Sequence, residues 1–150
     1  MNDRLYPLTL YYDGACPLCL AEMRNLMLRN ERDQRLRFVD IAGPGFVVPQ
    51  GVAREALAQT LHAQAPDGRW LRGVDTFVAM YEAVGVSWVA RSLSSPALRP
   101  LAEHLYPWVA RHRRLFPRWL AHMVFETALR RAARQAVPAC ADGVCRRDAS

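Results

Sequence analysis

The sequence predicts an α/β protein with a mixed four-stranded sheet, flanking helices and extra C-terminal helices. Two observations predict this class. Before Trp88, segments rich in β-formers alternate with helical segments in the order β, α, β, short α, β, β, α. From Trp88 onward the sequence has a helical character that prolines interrupt.

The first three predicted elements form a βαβ unit. LTLYY (Leu8 to Tyr12) is rich in β-formers and stops at the turn signal Asp13-Gly14. PLCLAEMRNLMLRN, which starts at Pro17, has the periodicity of a helix with one buried face. The apolar residues of that face are Leu20, Met23, Leu26 and Met27. RLRFVDI (Arg35 to Ile41) is the next strand, so the first two strands are expected to be parallel.

The following segment completes the predicted sheet. GPGFVVPQG is a loop, and VAREALAQT is a short helix. TLHAQAP and RWLRG flank Asp67-Gly68, which indicates an antiparallel hairpin. Val74 or Asp75 then begins a helix that Gly85 ends.

Three regions follow from this order. Residues 1–87 are expected to form the α/β core, and residues 88–136 a helical elaboration packed on it, with a last long helix from about Arg118 to Gln135. Residues 137–150 are expected to form a flexible tail.

The composition narrows the class of protein. No apolar run reaches the roughly 18 to 20 residues of a membrane helix, and the N-terminus does not resemble a secretory signal. A cytoplasmic location is therefore expected. The formal net charge of +6 arises wholly from Leu98 onward, yet all twenty basic residues are Arg, which is typical of a coding bias. We expect no nucleic-acid partner, and the sequence does not determine the oligomeric state.

Cys16 and Cys19 lie at the predicted junction between the first strand and the first helix. A sulfur at a helix N-terminus is stabilised as a thiolate, which makes it the nucleophile. Pro17 suits the first helical position, and Gly14 belongs to the preceding turn. In a reducing compartment, such a pair indicates redox chemistry or metal binding rather than a structural disulfide.

The redox interpretation makes the chain a thiol–disulfide oxidoreductase without a metal or other cofactor. Cys16 attacks a disulfide of a protein or small molecule, and Cys19 resolves the mixed disulfide. The reverse direction oxidises a substrate dithiol. Asp13 either accepts or relays a proton near Cys19 or simply caps the turn before the helix.

Other interpretations of the cysteines stay open at this point. Cys140 and Cys145 in the tail could relay electrons to Cys16 and Cys19, or be incidental thiols. All four could hold zinc, which would make the chain a zinc-stabilised interaction module. Cys16 and Cys19 could also be buried packing residues, and a chain with this fold could be a non-catalytic interaction module.

YYDGACPLC (Tyr11 to Cys19) resembles the signature of the DCC-type thiol-disulfide oxidoreductase family, named after one Asp and two Cys. The likeness continues through FVDI, through LHAQAPDGRWLRGVDTF and through YPWVARHR (Tyr106 to Arg113), which is similar to the family's late Tyr and Ala-x-x-Arg segment. The resemblance implies a thioredoxin-like fold with Asp13, Cys16 and Cys19 as the motif residues. Thioredoxins also carry a proline before the third strand, and the corresponding ALAQTLHA has none.

Overall fold

The computed structural model of the chain describes residues 3–113, 115 and 119. A short 3-10 helix, Asp3–Leu5, precedes the first strand. The strands are β1 (Leu8–Tyr12), β2 (Leu36–Asp40), β3 (His62–Gln64) and β4 (Trp70–Arg72). The α-helices are α1 (Pro17–Asn30), α2 (Arg54–Gln59), α3 (Val74–Ala83), α4 (Ser87–Ser94) and α5 (Arg99–His112).

The four strands form one mixed sheet in the order β2-β1-β3-β4. β1 is parallel to β2, in a register that runs from Leu8 opposite Leu36 to Tyr12 opposite Asp40. β3 is antiparallel to both β1 and β4. The central strand β1 buries Leu8 and Leu10 completely. This arrangement confirms the predicted α/β class and is consistent with a thioredoxin-like fold.

Helix α1 packs its predicted apolar face on the sheet. Met23 and Leu26 are fully buried, and Met27 packs against the same core cluster. The end of the helix is tied to β2, since the side chain of Asn30 accepts the N–H of Leu36 and donates to its carbonyl. The buried face also includes Glu22, a charged residue that the apolar pattern does not predict.

The hairpin between β3 and β4 turns at the predicted Asp67-Gly68 pair. Gly68 has a φ of +85°, a left-handed conformation that glycine adopts without strain, and Asp67 accepts the N–H of Arg69. Gly73 follows β4 as the N-cap of α3, so the chain passes directly from the sheet into that helix.

The predicted C-terminal helical elaboration begins with α4 and α5. Both helices pack against α3, and the ring of Tyr106 on α5 contacts Phe77 of α3 at 5.7 Å between centroids. Of the last predicted helix, only Trp119 is described, and the tail with the thiols Cys140 and Cys145 lies outside the described residues. The limits of the three predicted regions stay predictions. Among the described helices, none is long and apolar enough to cross a bilayer.

Candidate active site

Cys16 is the N-cap residue of α1. Its backbone is extended (φ −90°, ψ 116°), and Pro17 occupies the start of the helix behind it. The Cys16 sulfur accepts the backbone N–H of Cys19 at 3.3 Å. The sulfur of Cys16 therefore takes the place that a Ser or Asp side chain oxygen usually has at a helix N-cap. This is the position that the sequence predicts for the pair.

The two cysteines are free thiols with different surroundings. Their sulfurs lie 2.7 Å apart, with the Cys19 thiol donating to Cys16. The pKa of Cys16 is lowered to about 6, chiefly by that hydrogen bond and also by the N–H of Cys19 and the charge of Arg113, while burial and Asp13 oppose the change. The pKa of Cys19 is raised, because its proton is held by Cys16 and because the thiol is buried. Cys16 is thus the more acidic thiol of the pair.

Arg113, at the end of α5, completes the surroundings of the dithiol. Its carbonyl oxygen lies 3.9 Å from the Cys16 sulfur. Its guanidinium donates to the carbonyl of Ala58 at 2.5 Å and lies 3.8 Å from Asp13. Arg113 is absent from the site residues that the sequence predicts. The available signal is the Ala-x-x-Arg pattern, Ala110 to Arg113, within the late segment of the family resemblance.

Asp13 shapes the turn before α1. One carboxylate oxygen accepts the N–H of Ala15 at 3.1 Å, and its backbone carbonyl accepts the N–H of Cys16. The other carboxylate oxygen faces Arg113. The structure therefore contains the predicted turn cap and adds a buried ion pair. A proton-transfer role for Asp13 stays a prediction.

Gly14 is required by the close approach of Asp40, the last residue of β2. The N–H of Gly14 donates to Asp40 at 2.9 Å. A Cβ atom on residue 14 would lie only 2.0 Å from a carboxylate oxygen of Asp40. Asp40 also accepts the N–H of Ala42, so a single carboxylate ties the turn before Cys16 to the end of β2.

Tyr106 of α5 contacts the chain just before β3, where thioredoxins have their proline. Its hydroxyl oxygen accepts the N–H of Leu61 at 2.8 Å. Burial raises the pKa of the Tyr106 hydroxyl, so this group is neutral at physiological pH. The helical elaboration is thereby fastened to the sheet beside the dithiol.

Glu22 lies one helical turn after Cys19 and is buried. Tyr81 of α3 donates a short hydrogen bond to it. Burial raises the pKa of Glu22 to about 7, although Tyr81 and Arg29 act in the opposite direction. The only sequence signal for this residue is a carboxylate placed beside Met23 on the apolar face of α1.

No metal-ligand cluster is present within residues 3–113, 115 and 119. Groups of three or more His, Cys, Asp or Glu with suitable geometry are absent from this part of the chain. Cys140 and Cys145, which a four-thiolate zinc site would need, are not among the described residues. The zinc interpretation is therefore a matter for metal analysis.

The fold and the paired thiols are those of a thiol–disulfide exchange protein. The model of the DCC1-like thiol-disulfide oxidoreductase family matches residues 10–119 of this sequence. The chain therefore belongs to that family, as the resemblance at Tyr11 to Cys19 predicts. Family membership supports a general redox role.

A curated relative comes from Arabidopsis thaliana. It is an uncharacterized protein described as chloroplastic, and it is 34% identical to this chain over 110 residues. The match covers 72% of this chain but 51% of the relative, so the chain spans about half the length of that protein. No solved structure matches the chain.

Proposed function

We propose that the chain reduces disulfides or oxidises dithiols, with Cys16 as the nucleophile and Cys19 as the resolving cysteine. The observation that carries this proposal is the geometry of the pair: Cys16 is the N-cap of α1, and its sulfur accepts both the backbone N–H and the thiol of Cys19. This arrangement lowers the pKa of Cys16 and raises that of Cys19. A pKa of about 6 leaves Cys16 largely ionised at pH 7, whereas Cys19 keeps its proton. Only the thiolate is a competent nucleophile, so the electrostatics favour attack by Cys16.

In the reductive direction, the Cys16 thiolate attacks one sulfur of the substrate disulfide. A mixed disulfide forms, and the other substrate sulfur leaves as a thiolate. Cys19 then loses its proton and attacks the Cys16 sulfur, which releases the second substrate thiol. The protein gives up two electrons and ends as the Cys16–Cys19 disulfide, which an external dithiol must reduce again. We propose Asp13, which lines the same cavity as Cys19, as the acceptor of the Cys19 proton.

Access to Cys16 requires a movement of the chain at Arg113. The Cys16 side chain has no exposed surface, and the carbonyl of Arg113 contacts its sulfur. Cys19 is partly exposed. Attack by Cys16 therefore follows a local opening in which the end of α5 withdraws from the sulfur.

The partners of this reaction are proteins or small molecules that carry a disulfide or a dithiol. The direction of electron flow depends on the relative stability of the oxidised and reduced forms. A cytoplasmic location stays a prediction from the sequence. The description 'chloroplastic' applies to the Arabidopsis relative alone.

Pulsed alkylation tests the assignment of the two cysteines. The full chain with Cys140→Ser and Cys145→Ser is reduced and alkylated at a series of pH values, and each peptide is quantified by mass spectrometry. We expect Cys16 to titrate near pH 6 and Cys19 to stay protonated through pH 9. Titration of both thiols near the ordinary value of about 8.5 would contradict the proposal.

Two further measurements separate the proposal from its alternatives. Stoichiometric zinc in protein purified without chelator would identify an interaction module. Reduction of insulin by the wild type, and its loss in Cys16→Ser, would exclude a non-catalytic adaptor. The same insulin assay, run with the wild type and with the Cys140→Ser, Cys145→Ser variant, tests the tail thiols. A slower rate in the variant would show that they relay electrons.

A further inference from the structure

A small cavity of about 250 Å³ lies beside the dithiol, between α1, α3 and α5. Cys19 and Arg113 are part of its wall, so the cavity adjoins the redox pair. Its volume is below the roughly 300 to 1,000 Å³ of pockets for drug-sized ligands. Most of the wall surface is apolar, and the apolar side chains include Leu18, Met23, Leu61, Phe77, Val109 and Ala110.

The cavity wall also contains a buried carboxylate with an unused oxygen. Glu22 lines the cavity, and Tyr81 donates to its Oε1 atom. The Oε2 atom is buried and has no hydrogen-bond partner among the residues that the structure describes. A buried polar atom of this kind costs free energy unless a donor reaches it. A ligand with a hydrogen-bond donor would supply one.

The spacing of Cys19 and Glu22 sets the geometry of such a ligand. The two residues are three apart on α1, so their side chains lie on the same face, about 4.5 Å apart along the helix axis. A molecule in the cavity can therefore place sulfur near the dithiol and a donor group near Glu22.

We propose that this cavity is the substrate site and that it takes a small, uncharged, mainly apolar disulfide whose hydrogen-bond donor pairs with Glu22. The inference rests on the proposed function, because it names the substrate class of the same dithiol. Cys16 does not line the cavity, but the carbonyl of Arg113 contacts its sulfur and Arg113 does line it. Withdrawal of the Arg113 main chain thus opens Cys16 towards the bound disulfide.

Two features of the site favour a small molecule over a folded protein. Tyr106 and Arg113 hold α5 to the backbone beside the dithiol, at Leu61 and Ala58. While these contacts hold, the cavity of about 250 Å³ beside Cys19 has room for a small molecule but not for a segment of a folded protein. Asp13 and Arg113 also line the cavity, but they form an ion pair with each other. A negatively charged ligand is therefore disfavoured, because it would face the unpaired charge of Glu22 in a poorly solvated space.

The exchange of such a ligand balances as a two-electron reaction. The Cys16 thiolate bonds to one ligand sulfur as the ligand S–S bond breaks, and Cys19 then displaces that sulfur and forms the protein disulfide. The ligand leaves with two thiols: one proton comes from Cys19 and the other from solvent. In the ligand dithiol, both sulfurs are reduced by the electrons that the protein cysteines lose.

Lipoamide and lipoate form a matched pair of probes for this site. Both carry the same cyclic disulfide on the same aliphatic chain, and they differ only in a neutral amide against a carboxylate. Each is mixed in excess with the reduced full chain without oxygen at pH 8, where Glu22 is largely ionised. Formation of the Cys16–Cys19 disulfide is followed over time by alkylation of the remaining thiols. We expect lipoamide to react at least about tenfold faster than lipoate.

The variant Glu22→Gln identifies the source of that preference. It should bring the two rates to within about twofold, whereas the exposed control Glu31→Gln should keep the wild-type ratio. Equal rates with wild-type protein, or an unchanged ratio in Glu22→Gln, would overturn the cavity assignment. Insulin reduction distinguishes the two proposals: if insulin is reduced while neither probe reacts, only the cavity assignment fails. If no disulfide exchanges at all, the proposed function fails as well.

Discussion

The carbonyl oxygen of Arg113 lies 3.9 Å from the sulfur of Cys16, although the two residues are 97 positions apart in the chain. The side chain of the same arginine lies near Asp13 and donates to Ala58. Arg113 therefore has two effects on Cys16. Its charge favours the thiolate, and its main chain covers the sulfur.

Arg113→Ala should separate these two effects. Loss of the cation should raise the pKa of Cys16, but by less than loss of the hydrogen bonds from Cys19 would, because Arg113 is the smaller influence. Loss of the contact with Ala58 should also let the main chain at residue 113 move away from the Cys16 sulfur more often. Alkylation of Cys16 at high pH should therefore be faster. The measurement is the alkylation rate of Cys16 between pH 5 and 10. Arg111→Ala is the control, because Arg111 is exposed on the same helix; identical profiles for both variants would contradict this role.

Tyr106→Phe should loosen α5 without changing any charge at neutral pH. The variant leaves the buried N–H of Leu61 without its acceptor, which should cost about 1 to 3 kcal/mol of unfolding free energy. The alkylation rate of Cys16 should rise at every pH. Tyr6→Phe is a suitable control, since its hydroxyl donates to the carbonyl of Ala79 rather than to the backbone beside the dithiol. An equal rise in Cys16 alkylation in both variants would show a general loss of stability instead.

Gly14→Ala should destabilise the turn before Cys16. The added methyl would lie 2.0 Å from a carboxylate oxygen of Asp40, so the carboxylate must move and give up its bond to residue 14. We expect a loss of about 1 to 3 kcal/mol in urea unfolding. In an Asp40→Ala background, the same substitution should cost clearly less, because the obstructing oxygen is gone. Simple additivity of the two changes would count against this close approach.

Glu22→Gln should change the dependence of stability on pH. The folded pKa of Glu22 is about 7, above its ordinary value of 4.5, so folding retains a proton on Glu22 between these values. In the wild type, the contribution of Glu22 to the free energy of unfolding is therefore fully present below pH 4.5. It is lost as the pH rises through 7. Because glutamine cannot ionise, the stability of Glu22→Gln relative to wild type should grow by roughly 2 kcal/mol from pH 5 to pH 8.

Thermal or urea unfolding at the two pH values measures this difference. The exposed Glu31→Gln variant should follow the wild type at both. If the Glu22→Gln advantage is the same at pH 5 and pH 8, Glu22 does not titrate in this range.

Local signals in the sequence predict most of the sheet and its connections. The observed limits of β1 and α1 match the predicted ones, because a β-rich run, a turn signal and a proline at the helix start all act within a few residues. The hairpin at Asp67-Gly68 has the same local origin. Local signals do not predict the role of Glu22. Its pairing with Tyr81 depends on how α1 and α3 pack. Helical periodicity places a carboxylate on one face of the helix but does not predict which residue it contacts.

The sequence by itself determined the order of the elements, the family and the placement of two cysteines at the start of the first helix. These features depend on residues close together in the chain, so their physical causes are visible in short segments. The tertiary structure alone decided that Cys16 is covered, that Arg113 and Tyr106 hold α5 beside it, and that a cavity with a buried carboxylate adjoins Cys19. These features arise because packing brings residues far apart in the chain into contact, and burial then changes their charge and reactivity.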